Sequence, residues 1–300
     1  MKPVLLCNFK YNQSNTMTQQ STVSILGCGW LGLPLAEHLM AQGYHVKGST
    51  TQTSKLDLLH QKGIEAFLVK LTPDLEADKI EQFLDTETLV INIPPGVRKQ
   101  GEDFHPAQIK TLEPLIGQAP LKNVIYVSST SVYPNVNRMV DETEPLGNTD
   151  GSVDGVRGLY VNRALLKAEQ MIKGLEAKNV TILRPGGLIG EDRVPGKYVA
   201  GKKGITTGNV PVNYIHPVDL VRLITQVIQQ NAWGEVFNVV TPEHPTRREV
   251  YTQNIEMFGL EAPEYTEGSP DFKIIDGTKI IETLNYKFKY PNPLEFRYNL

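Results

Sequence analysis

Thr22-Val23-Ser24-Ile25-Leu26-Gly27-Cys28-Gly29-Trp30-Leu31-Gly32 carries a short apolar run straight into a glycine-punctuated turn. The stretch that follows, Leu31–Gln42, places apolar residues at 31, 35, 39 and 40, the spacing of one helix face. The segment therefore reads as strand, tight turn and helix. Each glycine has a separate role. Gly27 permits the turn, Gly29 lets the backbone approach a pyrophosphate, and Gly32 allows close helix–strand packing. Trp30 and Leu31 open the helix, where free N–H groups meet an anion. Pro34 is compatible with that first turn, whose N–H groups lack helical partners anyway. Three glycines at this spacing, in this setting, point to a dinucleotide.

Working outward, further strands are expected at His45–Gly48, Ala66–Lys70, Thr88–Ile93, Asn123–Ser128, Val180–Arg184 and Val236–Val240. Leu89-Val90-Ile91 and Val124-Ile125-Tyr126-Val127 are continuous apolar runs, as in strands buried on both faces of a parallel sheet. Strands alternating with helical stretches imply right-handed crossovers and an α/β, doubly wound, Rossmann-type sheet. Residues 21–185 are assigned to this NAD(P)-binding domain, completed by about 205–240. From Pro185 onward Gly, Pro and Asn are denser. Residues 186–204 and 241–300 are assigned to a small C-terminal substrate lobe over the sheet's carboxyl edge, where ligands of open α/β sheets bind. Residues 1–20, Asn-, Gln- and Thr-rich after a brief apolar patch at Pro3–Cys7, are read as a disordered tail, the first sixteen as a tail or a misassigned start.

The second strand ends in Gly48-Ser49-Thr50-Thr51-Gln52-Thr53-Ser54-Lys55, with no acid before Asp57. An NAD site usually carries an acidic residue there to hold the ribose hydroxyls. Hydroxyls and amides from Ser49, Thr50 and Thr51, with charge from Lys55 or Lys47, suit a 2′-phosphate instead. NADP is the expected cofactor, with NAD the other possibility. The net charge of −3 gives no global reason to expect nucleic acid or an anionic membrane as partner. No apolar run approaches the ~20 residues of a membrane span. Two cysteines, Cys7 and Cys28, make neither a disulfide framework nor a metal site, and a reducing, cytoplasmic setting fits.

The chain resembles the extended short-chain dehydrogenase/reductase superfamily with its NAD-dependent epimerase/dehydratase-like members, from Ser21 to about Tyr290. Beyond the glycine turn, the resemblance rests on Val124-Ile125-Tyr126-Val127-Ser128-Ser129-Thr130-Ser131-Val132-Tyr133, on Leu183-Arg184-Pro185-Gly186-Gly187, and on Val212-Asn213-Tyr214-Ile215-His216-Pro217-Val218-Asp219. It implies a hydride passed between a carbinol carbon and nicotinamide. It also implies a hydroxyl on the substrate oxygen, which maps to Ser129, and a Tyr-x-x-x-Lys pair that exchanges the proton. An unperturbed tyrosine has a pKa of about 10, so the lysine is needed to favour phenolate. That pair is absent. Anchored on Ala168-Glu169-Gln170, the tyrosine position is Val161 and the lysine position Leu165. Tyr160 lies one residue away and faces elsewhere on a helix turning about 100° per residue. Its i+4 neighbour is Ala164.

The resulting expectation is an atypical member of that superfamily. Its cofactor contacts are Gly27, Gly29, Trp30, Leu31, Gly32, Ser49, Thr50, Thr51, Lys55, Asn92, Pro94, Ser128, Arg184 and Pro185. Ser129 is the candidate catalytic hydroxyl and Tyr160 or Tyr133 the candidate proton donor. Each has a plainer reading, as a strand-end hydroxyl, a helix-start tyrosine and a packed aromatic. Arg98 is an unassigned cation near the cofactor strand ends, and His216 a packing or second-layer residue. Two functions stay open: an NADP-dependent oxidoreductase or epimerase-like enzyme on a small hydroxyl or carbonyl substrate, and a non-catalytic NAD(P)-binding sensor. The chain is expected as monomer or homodimer, through the helices near Ile109 and Leu166 that the resemblance implicates.

Overall fold

In the computed structural model of the protein, the described residues are 21–72, 74–146, 152–153, 156–157, 161–175 and 178–298. The tail expected over residues 1–20 and the candidate Tyr160 lie outside them. An eight-stranded sheet forms the centre: β1 (Thr22–Leu26), β2 (His45–Thr50), β3 (Glu65–Thr72), β4 (Asp74–Ala77), β5 (Thr88–Ile91), β6 (Asn123–Val127), β7 (Asn179–Pro185) and β8 (Val236–Val239). Their order is β8-β7-β6-β5-β1-β2-β3-β4, and all pairs are parallel except β3–β4. The order reverses direction between β1 and β5, which opens a crevice at their carboxyl ends.

Both faces of the sheet are covered, which is why the central strands are largely apolar. Val90, Ile25, Ile125 and Leu183 face one side, packed against α1 (Gly32–Ala41) and α7 (Pro217–Gln229) through Leu35, Leu39, Leu220 and Ile224. Leu89, Ile91, Val124 and Ile182 face the other. There they meet α3 (Ile80–Leu84), α5 (Phe104–Gln118) and α6 (Arg163–Lys173) through Phe83, Ile109, Leu112, Leu165 and Ile172. Ile109 is fully buried and Leu166 nearly so inside the single chain. Two shorter helices, α2 (Leu56–Gln61) and α4 (Val97–Gln100), follow β2 and β5.

Every strand expected from the sequence is present, within one or two residues at each end. The sequence reading missed β4. Its Asp-Leu-Glu-Ala sequence is short and charged, yet it pairs antiparallel with β3, Leu75 opposite Leu71 and Glu76 opposite Lys70. Exposed charges, with a 3.0 Å Lys70–Glu76 ion pair, close the sheet edge against further pairing.

The segments leaving β7 and β8 build smaller structure at the sheet's carboxyl side. Gly187–Leu188 pairs with Tyr214–Ile215, and Ile274–Ile275 with Met139–Val140, each as a two-residue parallel ladder. Helix α8 (Arg247–Phe258) starts in a capping box of Thr246 and Glu249, and α9 (Thr278–Leu284) packs on β8. Asp219, fully buried in the first turn of α7, ties the last of these segments down. It accepts from the Tyr286 hydroxyl (2.6 Å) and from the backbone N–H groups of Lys289 (2.7 Å) and Tyr290 (3.0 Å). Among the described residues, no helix is long and apolar enough to cross a membrane. Asp219→Ala is expected to cost about 3 kcal/mol, the scale of losing charged hydrogen bonds to buried donors. Urea unfolding would show it as a lowered midpoint at unchanged slope.

Candidate functional site: a cleft from the glycine turn to Ser129

The glycine turn is clamped from both neighbouring strands. Gly27, at φ +104°, donates its N–H to the Ser49 hydroxyl (2.9 Å), and Cys28 donates its N–H to the Ser49 carbonyl (2.8 Å). From the other side, Asn92 Nδ2 donates to the Gly27 carbonyl (3.1 Å) while the Asn92 N–H binds the Leu26 carbonyl (2.9 Å). The three glycines then separate by what surrounds them. A Cβ on Gly27 would lie 2.5 Å from the Asn92 carbonyl oxygen, and one on Gly32 only 2.2 Å from the Gly27 carbonyl oxygen. A Cβ on Gly29 would meet no protein atom within 4 Å. Gly27 and Gly32 are therefore required by packing, and Gly29 faces open space. Cys28 is a packing residue, its thiol pushed up to about 12 by burial.

That open space is a cleft of about 570 Å³ across the carboxyl ends of the strands. Gly27, Gly29, Trp30 and Leu31 line one end, with Ser49, Thr50, Thr51 and Lys55 beside them, then Asn92 and Pro94, and Ser128, Ser129 and Pro185 at the far end. The structure thus brings most of the expected residues to one cavity. Among the described residues, the N–H groups of Trp30 and Leu31 have no acceptor within the protein. They are available to a ligand, as helix-start amides are.

Several expected residues are placed otherwise. Gly32 lies behind the turn and off the cleft wall. The Ser49 hydroxyl oxygen accepts from the Gly27 N–H and keeps its own proton to donate, so Ser49 stays on the ribose side of the cleft with Thr50, Thr51, Gln52 and Lys55. Lys47 points to the opposite end of the sheet, where its Nζ donates to the carbonyls of Gln82 and Asp85, both at 2.6 Å. Arg98 is exposed on α4 and off the cleft wall. Arg163 and Lys167, the cations in the first half of α6, are paired with Glu102 and Asp103.

Arg184 and Tyr133 are the main corrections. Both are buried beneath the cleft in one hydrogen-bonded chain. The Arg184 guanidinium holds Glu169 through two bonds (3.0 and 2.6 Å) and donates to the Tyr133 hydroxyl (2.7 Å), which donates to Asn238 (2.8 Å). Burial pushes the Tyr133 phenol up to about 12, partly offset by Arg184. With its proton committed to Asn238 and no exposed surface, Tyr133 has no route to a substrate in the cleft. Arg184 is 1% exposed, has all three guanidinium nitrogens bonded to Glu169 and Tyr133, and lies off the cleft wall.

The two serines at the far end differ in what they can offer. Ser128 donates to Glu169 (2.6 Å), so towards the cleft its oxygen can only accept. Ser129 accepts from the Ser131 N–H (3.1 Å), which leaves its own proton free to donate. Ser129 is thus the one suited to polarise a carbonyl oxygen. Leu165 stands on the cleft wall, and Val161 is buried. His216 caps α7, its Nδ1 accepting from the Val218 N–H (3.3 Å), and is enclosed by Tyr290 and Phe296.

The sequence reading missed Asn162 and Arg193, both on the cleft wall. Asn162 is the N-cap of α6, its Oδ1 accepting from the Leu165 N–H (3.3 Å). Asparagine ahead of a helical run is a legible cap signal. Nothing local marks Arg193, whose place depends on the Gly190–Arg193 turn after β7.

A clamped glycine turn under a cleft at the reversal point of a doubly wound sheet defines a dinucleotide-binding class of protein. The NAD dependent epimerase/dehydratase family model matches residues 23–240, and the chain belongs to that family. It is 33% identical over 276 residues to Protein YeeZ of Escherichia coli K12, covering 91% of this chain and 97% of that one. Among solved structures, it superimposes with a TM-score of 0.69 on MoeE5 in complex with UDP-glucose and NAD, at 17% identity over 90% of this chain and 94% of that one. The UDP-glucose 4-epimerase of Thermotoga maritima with UDP-glucose gives a TM-score of 0.68 at 17% identity, covering 89% and 94%.

The glycine geometry predicts two opposite phenotypes. Gly29→Val should fold with an unchanged melting temperature and fail to bind a dinucleotide in calorimetry. Gly32→Val should lower the melting temperature, because its side chain meets backbone. Dinucleotide affinity retained by Gly29→Val would refute the role given to the turn.

Proposed function

We propose that the protein binds NADP in this cleft and acts as an oxidoreductase or epimerase-like enzyme on a small hydroxyl- or carbonyl-bearing substrate. The observation that carries this is the continuity of the cleft, from the free amides of Trp30 and Leu31 to the donor hydroxyl of Ser129. In this reading the pyrophosphate lies over Gly29, and Lys55, Thr51 and Gln52 take the 2′-phosphate. Asn92 and Pro94 border the ribose, and Ser129 holds the substrate oxygen while the nicotinamide, when bound, accepts or supplies the hydride. The segments 186–204 and 241–300 form the lobe that encloses the substrate. NADP is favoured over NAD because the β2 end offers hydroxyls, an amide and an exposed lysine, with no carboxylate on the cleft wall. UDP-sugars, bound by MoeE5 and the Thermotoga enzyme, are the first substrates to try. A cytoplasmic, monomeric or homodimeric protein with no nucleic-acid or membrane partner completes the proposal.

One feature favours a second reading. Leu165 brings an apolar side chain to the wall where the family's proton exchange needs an ammonium, which suits a non-catalytic dinucleotide sensor. Titration with NADPH and NADH, followed by a hydride-transfer screen on aldehydes, ketones and UDP-sugars, separates the two. The enzyme reading expects NADPH to bind about tenfold or more tighter than NADH, the scale of one charged hydrogen bond. It also expects turnover to fall about a hundredfold in Ser129→Ala. Tight binding without turnover across the screen moves the assignment to the sensor, and an NADH preference refutes the 2′-phosphate contacts.

A further inference from the structure

The cleft wall contains two charged side chains, Lys55 and Arg193, both cations. A ligand that fills the cleft is met by positive charge at two separate places. Lys55 comes from the loop after β2, on the ribose side of the glycine turn. Arg193 comes from the opposite side, in the segment after β7, and its guanidinium lies over the Trp30 ring, 3.8 Å from the centroid. Trp30 is itself one of the two residues whose N–H groups open α1 towards the cleft. Arg193 is therefore a cation stacked on the residue that begins the anion-binding amides.

Its placement is built in by the surrounding structure. Gly190 and Arg193 exchange backbone hydrogen bonds of 3.1 and 2.9 Å across a tight turn. Gly190 holds φ +126°, and a Cβ there would sit 2.4 Å from the buried His216 ring. Glu191 is left-handed at φ +55°, a conformation that is strained for a residue with a β-carbon. Its N–H is fixed to the Arg297 carbonyl (3.1 Å). Asp192 then accepts from the Trp30 indole N–H (2.6 Å), which fixes the ring that Arg193 covers. Among the described residues, the Arg193 side chain has no carboxylate partner. Asp192 is the acid nearest in sequence, and it is bound to the indole instead. An arginine stacked on an indole keeps its in-plane N–H donors free, in the fork geometry that matches phosphate oxygens.

We propose that Arg193, held on the Trp30 ring by the Gly190–Arg193 turn, is the cationic clamp for the pyrophosphate of the dinucleotide. The proposal rests on the dinucleotide-binding reading and adds a division of labour. Arg193 and the Trp30 and Leu31 amides grip the group that NAD and NADP share. Lys55 reads the group that distinguishes them. The clamp also joins the two parts of the chain, since the arginine belongs to the segment beyond β7 and its platform to the glycine turn.

The test compares Arg193→Met, Arg193→Lys and Lys55→Met with the parent protein in NADPH and NADH titrations at two salt concentrations. Melting temperatures serve as the folding control. Arg193→Met should weaken NADPH and NADH by the same factor, about tenfold or more, and reduce the salt dependence of both. Arg193→Lys, which keeps the charge and loses the planar fork, should fall between. Lys55→Met should weaken NADPH and leave NADH nearly unchanged. If the parent protein binds and Arg193→Met stays within twofold of it, the clamp is refuted while the dinucleotide reading stands. If Arg193→Met weakens NADPH alone, Arg193 belongs to the 2′-phosphate and the division of labour is wrong. If the parent protein binds neither nucleotide, the underlying reading fails and the clamp fails with it.

Discussion

The Gly27 carbonyl and the Gly32 Cα are packed so closely that one methyl group between them would stand 2.2 Å from oxygen. This contact lets α1 begin directly over the end of β1, and it turns the helix's first amides towards the crevice rather than towards solvent. Ser49 and Asn92 hold the turn from the strands on either side, so the sheet itself fixes the position of those amides. The placement of the cleft follows from it. β1 lies at the point where strand order reverses, and its neighbours β2 and β5 supply the two walls nearest the turn.

Beneath the far end of the cleft runs the chain Ser128–Glu169–Arg184–Tyr133–Asn238, extended by the Asn238 N–H to Glu142 (2.6 Å). Burying a carboxylate and a guanidinium is tolerable because each meets the other through two bonds and the remaining donors find acceptors. The chain joins β6, α6, β7 and β8. Its consequence at the surface is an asymmetry between adjacent serines: Ser128 has its proton drawn inward, and Ser129 keeps its own for the cleft. Residues that resemble catalytic groups in one dimension are thereby turned into a structural girder, and a hydroxyl with no acidic partner is left as the reactive candidate.

The part of the chain beyond β7 contributes through shape as much as through chemistry. Asp219 fixes the C-terminal segment to α7, the aromatic rings of Tyr290 and Phe296 enclose His216, and His216 leaves room only for glycine at position 190. The tight turn at Gly190–Arg193 is the outcome of that packing. A cation arrives over Trp30 because the aromatic cluster around His216, at the start of α7, determines where its backbone must run.

The order of amino acids was enough to specify the sheet and the turn. Strands buried on both faces are continuous apolar runs, and a phosphate-binding turn needs glycines at fixed offsets, so both constraints are local and visible in one dimension. The separate roles of the three glycines were legible from their offsets, and the structure adds the distances: open space at Gly29, backbone at Gly27 and Gly32. Folding settled the rest. Lys47 proves to be already bonded at the opposite end of the sheet, and Arg184 and Tyr133 point into the core. Arg193 was illegible for the same reason: its partner, Trp30, stands 163 positions earlier (193 − 30), and such a contact is set by the packing of distant segments. The edge strand β4 was hidden because its exposed face needs charges, and a charged tetrapeptide has no periodic signal of its own.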